Sequence, residues 1–333
     1  GVDFEFTSQD LTLKIGELGE RVIKPAMIQL ANSVDTFVAG LYSSVPNWVG
    51  TSGQVVNSFA DFAKAPERLD EMAVPRDTRS AILSPADHWA LLGSQTSLYM
   101  QDVAKGAYRK GSLGDIGGVD TFMSQNVLTH TAGTRTNALI DQSLTTSTTT
   151  YSSVKDTMVQ TIHMDGLGTT KTIKKGDVFT IADVYAVNPV TKAALPFNKQ
   201  FVVVSDVSSD AVTTGDADIE ISPPLIWTGA FQNVAVTSGV TDLNDKVVTW
   251  VQAAGAADRQ NLVFHKNAFA LAMVPLVSPP GAVDVSRQSY KGTSVRIIPV
   301  YDGTNDISKW RCDILFGGAA IDPRLATRLS GSA

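Results

Sequence analysis

The sequence predicts an α+β fold in which a mixed α/β body is interrupted by an all-β module. Three observations predict it. Apolar residues recur at helical spacing over residues 8–42, two further helix signals follow before residue 95, and residues 158–236 read as consecutive strands. Mixed segments lie on both sides of the strand series, so residues 1–130 and 240–333 read as one discontinuous body. The module of about a hundred residues between them reads as an insertion. The ends of an inserted module lie close together, so the body is expected to fold without residues 131–236.

The opening VDFEF alternates like a strand. Over 8–42, Leu11, Ile15, Leu18, Val22, Ala26, Leu30, Val34, Phe37 and Leu41 form one apolar stripe, advancing about 3.75 residues per step, close to helical period. Thr7 and Ser8 supply an N-cap, with Asp10 in the first turn. Pro25 lacks an N–H and is expected to bend or split this helix. Uninterrupted, the span would be roughly 50 Å long, a beam rather than an element of a compact ball. QVVNSFADFAKAPERLDEMA is helical around Pro66, and a short strand ends at Leu83. Ser84 then caps a new helix with Pro85 first and Asp87 at its positive end. A strand is expected from Val119 to Val127. Residues 129–157 are dominated by Thr and Ser and lean towards strand. Turn signals fall at Lys175-Gly176, Asn188-Pro189 and Thr214-Gly215. Residues 259–277 read as strand, short helix, strand, and the tail carries strands at SVRIIPVYDG and KWRCDILFGGAAI.

Composition narrows function. The chain has 333 residues and a net charge of −6, which argues against gripping nucleic acid through a basic face. Cys312 is the single cysteine, which excludes an intrachain disulfide and reads as a buried thiol. No apolar run approaches the roughly 20 residues of a membrane span. The four histidines, His88, His130, His163 and His265, stand apart, without zinc-ligand spacing. His163 and Asp165 would share one face of a strand, but two ligands without a third make a weak metal site. Ser152 and Lys155 form an S-x-x-K inside the Ser/Thr tract without partner motifs, and no G-x-S-x-G occurs. No catalytic residue, cofactor or metal is expected.

Residues 110–126, KGSLGDIGGVDTFMSQN, crowd Gly111, Gly114, Gly117 and Gly118 together behind Arg109 and Lys110. The stretch is no phosphate loop. From Gly106 to Gly111 the Walker gap is right, but Ser112 stands where the lysine belongs. Gly111, Gly114 and Gly117 are spaced wrongly for a dinucleotide turn. Glycine permits φ > 0 and tight bends, so the four glycines read as a flexible hinge.

In order, the long N-terminal helix, VPRDTRSAILSPADHWALL, GAYRKGSLGDIGGVDTFMSQNV, a threonine-rich β insertion, FHKNAFALA and RCDILFGGAAIDPRLATRL cover nearly the whole chain. This arrangement resembles the major capsid proteins of tailed double-stranded DNA phages with the Hong Kong 97-type fold. It is most similar to the Salmonella podovirus coat subgroup, which carries an inserted β domain.

The resemblance implies a division of labour. Residues 1–46 would be the end of an extended loop and the spine helix of a peripheral domain, with Leu11, Ile15, Leu18, Val22, Leu30, Val34, Phe37 and Leu41 as its packing stripe. Residues 47–130 and 237–282 would form the axial domain, 131–236 the barrel-like insertion, and 283–333 the return to the peripheral domain. Gly111, Gly114, Gly117 and Gly118 would be the hinge of a loop near the symmetry axes. The chain begins where the family's extended loop should be ending, so the N-terminal arm and most of that loop are expected to be missing from it. The implied function is a structural coat protein that self-assembles, as hexamers and pentamers, into an icosahedral shell around double-stranded DNA. Scaffolding and portal proteins would be partners, DNA would be held by confinement, no membrane would be involved, and assembly would take place in the host bacterial cytoplasm. An encapsulin-like compartment shell is the alternative within the fold. A carbohydrate- or surface-binding protein acting through residues 131–236 is the alternative from another class, but that span offers only Tyr151, Tyr185 and Trp227 as stacking surfaces.

Overall fold

Alternation along Ala217–Ser222 buries Ala217, Ile219 and Ile221 while Asp218 and Glu220 face solvent, the pattern of a strand with one wet face. The computed structural model describes residues 1–7, 24–95, 111, 113–145, 158–211, 214–280, 285–290 and 293–332. In it this strand belongs to an antiparallel barrel. Going round, Ala194–Val203 pairs with Ala217–Ser222, then Gln160–Asp165, Ala138–Ile140, Val247–Trp250 and Val178–Val187, which pairs back to Ala194–Val203. Closure removes the exposed edges of an open sheet. Ile140, Ile162, Met164, Phe179, Phe201 and Ile219 fill the interior, and the Phe179 ring lies 5.7 Å from Phe201 and 5.1 Å from Trp250.

The strand Val178–Val187 changes neighbours partway. Its register shifts between Thr180 and Tyr185, where Asp183 takes φ 65°. Beyond that bulge the strand pairs with Val234–Val236. Lys246 Nζ, 2.5 Å away, and Thr237 Oγ1, 3.2 Å away, hold the Asp183 carboxylate there. A bulge bends a strand and redirects its pairing, which explains how one strand serves both the barrel wall and an outer ribbon.

Two compact units make up the chain. One comprises Gly40–Phe269 and Ala320–Ala333, the other Gly1–Ala39 and Ala270–Ala319. Besides the barrel, the first contains a six-stranded mixed sheet in the order Trp48–Val49, Ala326–Leu329, Asn261–His265, Arg79–Leu83, Val119–Met123 and Asp115–Ile116. Two helices share its core, α2 (Phe59–Glu71) and α3 (Pro85–Gln95), where Phe62, Leu69 and Leu91 meet Leu83, Val119 and Val263. Ser58 caps α2 by accepting from the Asp61 N–H at 3.1 Å, and Pro66 sits inside the helix.

The second unit holds helix α1 (Lys24–Ala39) and an antiparallel sheet in the order Val2–Thr7, Ile307–Asp313, Thr293–Asp302, Ser286–Tyr290. Ala26, Leu30 and Val34 form the buried line of α1, the i, i+4 spacing of one helix face. Phe37 is 42% exposed and meets Phe316 edge-on at 5.2 Å. Leu41 lies beyond the helix, in a 3₁₀ turn spanning Gly40–Ser44. Leu11, Ile15, Leu18 and Val22 lie outside the described residues, so of the expected apolar stripe Ala26, Leu30 and Val34 are seen buried.

Several expected boundaries move. The barrel takes its closing strand from Val247–Trp250, past the expected limit at 236, because Ala138–Ile140 needs that neighbour to close the wall. Residues 270–282 belong to the unit with α1, not to the body. Residues 320–333 join the body: every residue of Ala326–Leu329 is buried, which demands cover on both faces and so a central place in a sheet. The short helix expected within 259–277 is a turn between the strands Asn261–His265 and Phe269–Val274.

Candidate functional site

Two places concentrate unusual residues: the glycine stretch and the junction of barrel and body. In the first, Ser84 accepts from the Asp87 N–H at 3.3 Å and so starts α3. The Asp87 carboxylate, 1% exposed, accepts from the Val56 N–H at 2.9 Å and from Asn261 Nδ2 at 3.0 Å. This fixes α3 on the sheet. His88 on α3 then donates from Nε2 to the Gly111 carbonyl at 3.0 Å. Gly111, Gly114, Gly117 and Gly118 all have positive φ, at 62°, 66°, 60° and 78°.

The four glycines serve different geometries. Asp115 pairs with Asp120 and Ile116 with Val119, so Gly117-Gly118 is a two-residue hairpin loop. Positive φ at both positions is the type I′ requirement. Leu113 and Ile116 are buried in the body core, and Thr121 Oγ1 donates to the Gly114 carbonyl at 2.7 Å. A Cβ on Gly111 would come within 3.0 Å of the Trp89 ring, whereas one on Gly114, Gly117 or Gly118 would meet open space. The sequence reading saw the glycines but missed this hairpin, although Gly-Gly between DI and VD is its signal. Residues 96–110 and Ser112 lie outside the described residues.

At the junction, Asp177 is fully buried and accepts from His130 Nε2 at 2.9 Å, the Lys174 N–H at 3.0 Å and the Gly133 N–H at 3.2 Å, and it forms an ion pair with Arg135 Nη1 at 3.0 Å. His130 Nδ1 meets the Tyr42 hydroxyl at 3.1 Å. Arg328, from the body strand Ala326–Leu329, donates to the carbonyls of Val45 at 3.0 Å and Gly176 at 2.8 Å, and to Gln260 Oε1 at 3.2 Å. Burial draws the Arg328 guanidinium down to about 9, so it remains charged at neutral pH. Trp48 and Gln200 exchange backbone and amide bonds across the same seam, at 2.7 and 2.8 Å.

The line Tyr42–His130–Asp177 has the shape of a relay, but its electrostatics oppose catalysis. Burial raises the Tyr42 hydroxyl, only partly offset by Arg328, the reverse of what an activated nucleophile needs. Two sides of Asp177 are occupied by backbone donors. The arrangement is therefore a clamp between barrel and body. No spacing rule foretold it, since its members come from residues 42 to 328.

Other candidates resolve individually. His163 Nδ1 bonds Asp218 Oδ1 at 2.8 Å across neighbouring strands. That hydrogen bond raises the His163 pKa, burial pulls it down, and the charges of Asp218, Asp141 and Asp216 add to the rise. Among the described residues no three His, Cys, Asp or Glu side chains gather as a metal site. Cys312 is buried, and burial pushes its thiol up. Trp227 packs on the barrel core and Tyr185 lies within the strand Val178–Val187. Tyr151, Ser152 and Lys155 lie outside the described residues. No described helix is long and apolar enough to cross a membrane.

The family profile described as P22 coat protein, gene protein 5, matches residues 1–331. The chain belongs to the P22 coat protein family. It is a tailed-phage coat protein, of a structural and non-enzymatic family whose members sit in the virion capsid. Two solved structures are similar to this coat protein. One is from Mycobacterium phage Che8, with 12% identity, a TM-score of 0.45, and coverage of 98% of this chain and 68% of that one. The other is the capsid of cyanophage P-SCSP1u, with 10% identity, a TM-score of 0.41, and coverage of 100% and 72%. No curated protein matches the chain.

Proposed function

We propose that this coat protein self-assembles, as hexamers and pentamers, into an icosahedral shell that encloses double-stranded DNA. The observation that carries the reading is the family match over residues 1–331. The fold is consistent with it. A shell subunit needs stiff bodies and adaptable joints rather than a reactive cleft, and the buried clamp around Asp177 and Arg328 supplies stiffness.

The unit containing α1 and the four-stranded sheet takes the peripheral role, and the six-stranded body takes the axial role. Gly111, Gly114, Gly117 and Gly118 form the adaptable loop, because positive φ at each leaves a small set of accessible turns without a Cβ penalty. A net charge of −6 suits DNA held by confinement, since strong phosphate binding needs a basic surface. Scaffolding and portal proteins complete the partners, and assembly takes place in the host bacterial cytoplasm.

Expression of the coat protein from its full open reading frame, with and without a scaffolding protein, tests the reading. Sedimentation velocity and negative-stain microscopy should reveal shells or capsomer rings. A monodisperse monomer under every assembly condition would overturn it.

A further inference from the structure

The wall of the barrel is weakest at Ala138–Ile140. This strand has three residues, against four to ten in each of the other five. It pairs through two residues with Gln160–Asp165 and through two with Val247–Trp250. So few ladder pairs place it among the parts of a fold that open most easily.

His163 sits at the end of this short strand. It lies on the neighbouring Gln160–Asp165, where its carbonyl accepts from the Asp141 N–H at 3.1 Å and its own N–H donates to Gln142 Oε1 at 3.2 Å. Both ring nitrogens face carboxylates. Nδ1 meets Asp218 Oδ1 at 2.8 Å on the strand Ala217–Ser222, and Nε2 lies 3.8 Å from Oδ2 of Asp141, the residue that follows the short strand. More acids surround the ring. Asp216 precedes the strand Ala217–Ser222, Glu220 shares the outward face of Asp218, and Asp165 lies two residues along from His163 on the same face. The side chain is 36% exposed, so it exchanges protons with solvent. A neutral imidazole has one N–H and one acceptor nitrogen, so it can donate to only one of its two carboxylates. The imidazolium donates to both. When a proton leaves, the N–H stays with the closer Asp218, and Nε2 turns a lone pair towards Asp141. Attraction on that side becomes repulsion.

We propose that His163 is a proton-operated strap on the barrel wall: its imidazolium ties Asp141 to Asp218 across the intervening strand, and loss of the proton frees the Asp141 end of the short strand. The hydrogen bond to Asp218 raises the His163 pKa from 6.5, against the pull of burial. The strap is therefore engaged at low pH and released as pH rises through the folded value. Release is local. Ile140, Ile162 and Ile219 of the same three strands sit in the barrel interior, carry no charge and keep the barrel folded. The inference stands on the barrel and does not rest on the shell reading.

Amide hydrogen exchange of the full chain tests it, read by NMR across the His163 titration and corrected for the intrinsic pH dependence of exchange. The Asp141 amide is expected to lose protection about two- to fivefold as His163 deprotonates, the worth of a partly exposed ion pair. The Val203 amide, bonded to the Asp177 carbonyl at 2.9 Å elsewhere in the barrel, should show no such step. His163→Gln should abolish the step. Asp141→Asn should abolish it too, because a neutral amide does not repel the Nε2 lone pair, and should move the His163 titration to lower pH. Should His163→Gln fail to fold, Asp141→Asn decides. Protection at Asp141 that does not follow the His163 titration, or an unchanged step in the deciding variant, overturns the proposal.

Discussion

Arg328 donates from Nη1 to the carbonyl of Gly176 at 2.8 Å, and its side chain is shut off from solvent. The first residue belongs to the last strand of the body sheet and the second to a turn at the entrance of the barrel strand Val178–Val187. One guanidinium thus ties the end of the chain to the middle of the insertion.

Removing that tie should be costly. Arg328→Met leaves the carbonyls of Val45 and Gly176 without a donor in a dry seam, at about 1–3 kcal/mol for each unmet group. A total loss of about 3–5 kcal/mol is expected, read from urea midpoints. Arg328→Lys should recover little, because an ammonium lacks the planar fork that reaches several acceptors at once.

Excising residues 131–236 should not leave a folded body, contrary to what an insertion reading implies. Deletion removes Asp177 from His130, Gly176 from Arg328 and Gln200 from Trp48. It also strands Val247–Trp250 without Val178–Val187 and Ala138–Ile140. Loss of cooperative unfolding by calorimetry is the expected outcome. A sharp two-state transition in the deletion protein would contradict it.

The glycines should separate into two classes. Gly118→Ala meets open space, so its cost is the left-handed backbone alone, about 1–2 kcal/mol. Gly118→Asn should cost less, since Asn tolerates that region. Gly111→Ala adds a clash with Trp89 and should cost more than Gly118→Ala. Denaturant melts of the three variants decide the order.

Acid should weaken the unit that contains α1. Burial alone would raise the Asp313 carboxyl, but hydrogen bonds from Arg296 at 2.8 Å and Arg311 at 2.8 Å outweigh it and hold its pKa down. A depressed carboxylate stabilises above its unfolded pKa, and that contribution fades as pH falls through the folded value. Unfolding midpoints should therefore drop below about pH 4, and less so in Asp313→Asn. His163 runs the other way: its pKa is raised from 6.5, so its pairing with Asp218 stabilises at low pH and is lost as pH rises past the folded value. In Asp218→Asn an NMR titration of His163 should move back towards 6.5.

Local signals were legible in the sequence. Ser84-Pro85 marked the start of α3, and the alternation of DADIEIS marked a barrel strand, because each needs only neighbours in sequence. Leu30 and Val34 fell on a buried face for the same reason. The clamp was not legible. Asp177 lies just past the Lys175-Gly176 turn signal and Arg328 close to the end of the sequence, and only the tertiary fold brings both to the seam. Ala326–Leu329 gave no local signal for a related reason: Thr327 and Arg328 are residue types usually exposed, yet both are buried, Arg328 with three acceptors supplied from other segments. The short helix expected within 259–277 yielded to strand pairing on both sides of a turn, a case of tertiary context overriding local pattern.

Electron cryomicroscopy of particles assembled from this coat protein with its scaffolding protein tests the central claim most directly. The account predicts closed shells with the same chain in five-fold and six-fold settings, and the Gly111–Gly118 loop in different conformations between them. Uniform monomers at every protein concentration, or one identical loop conformation in both settings, would contradict it.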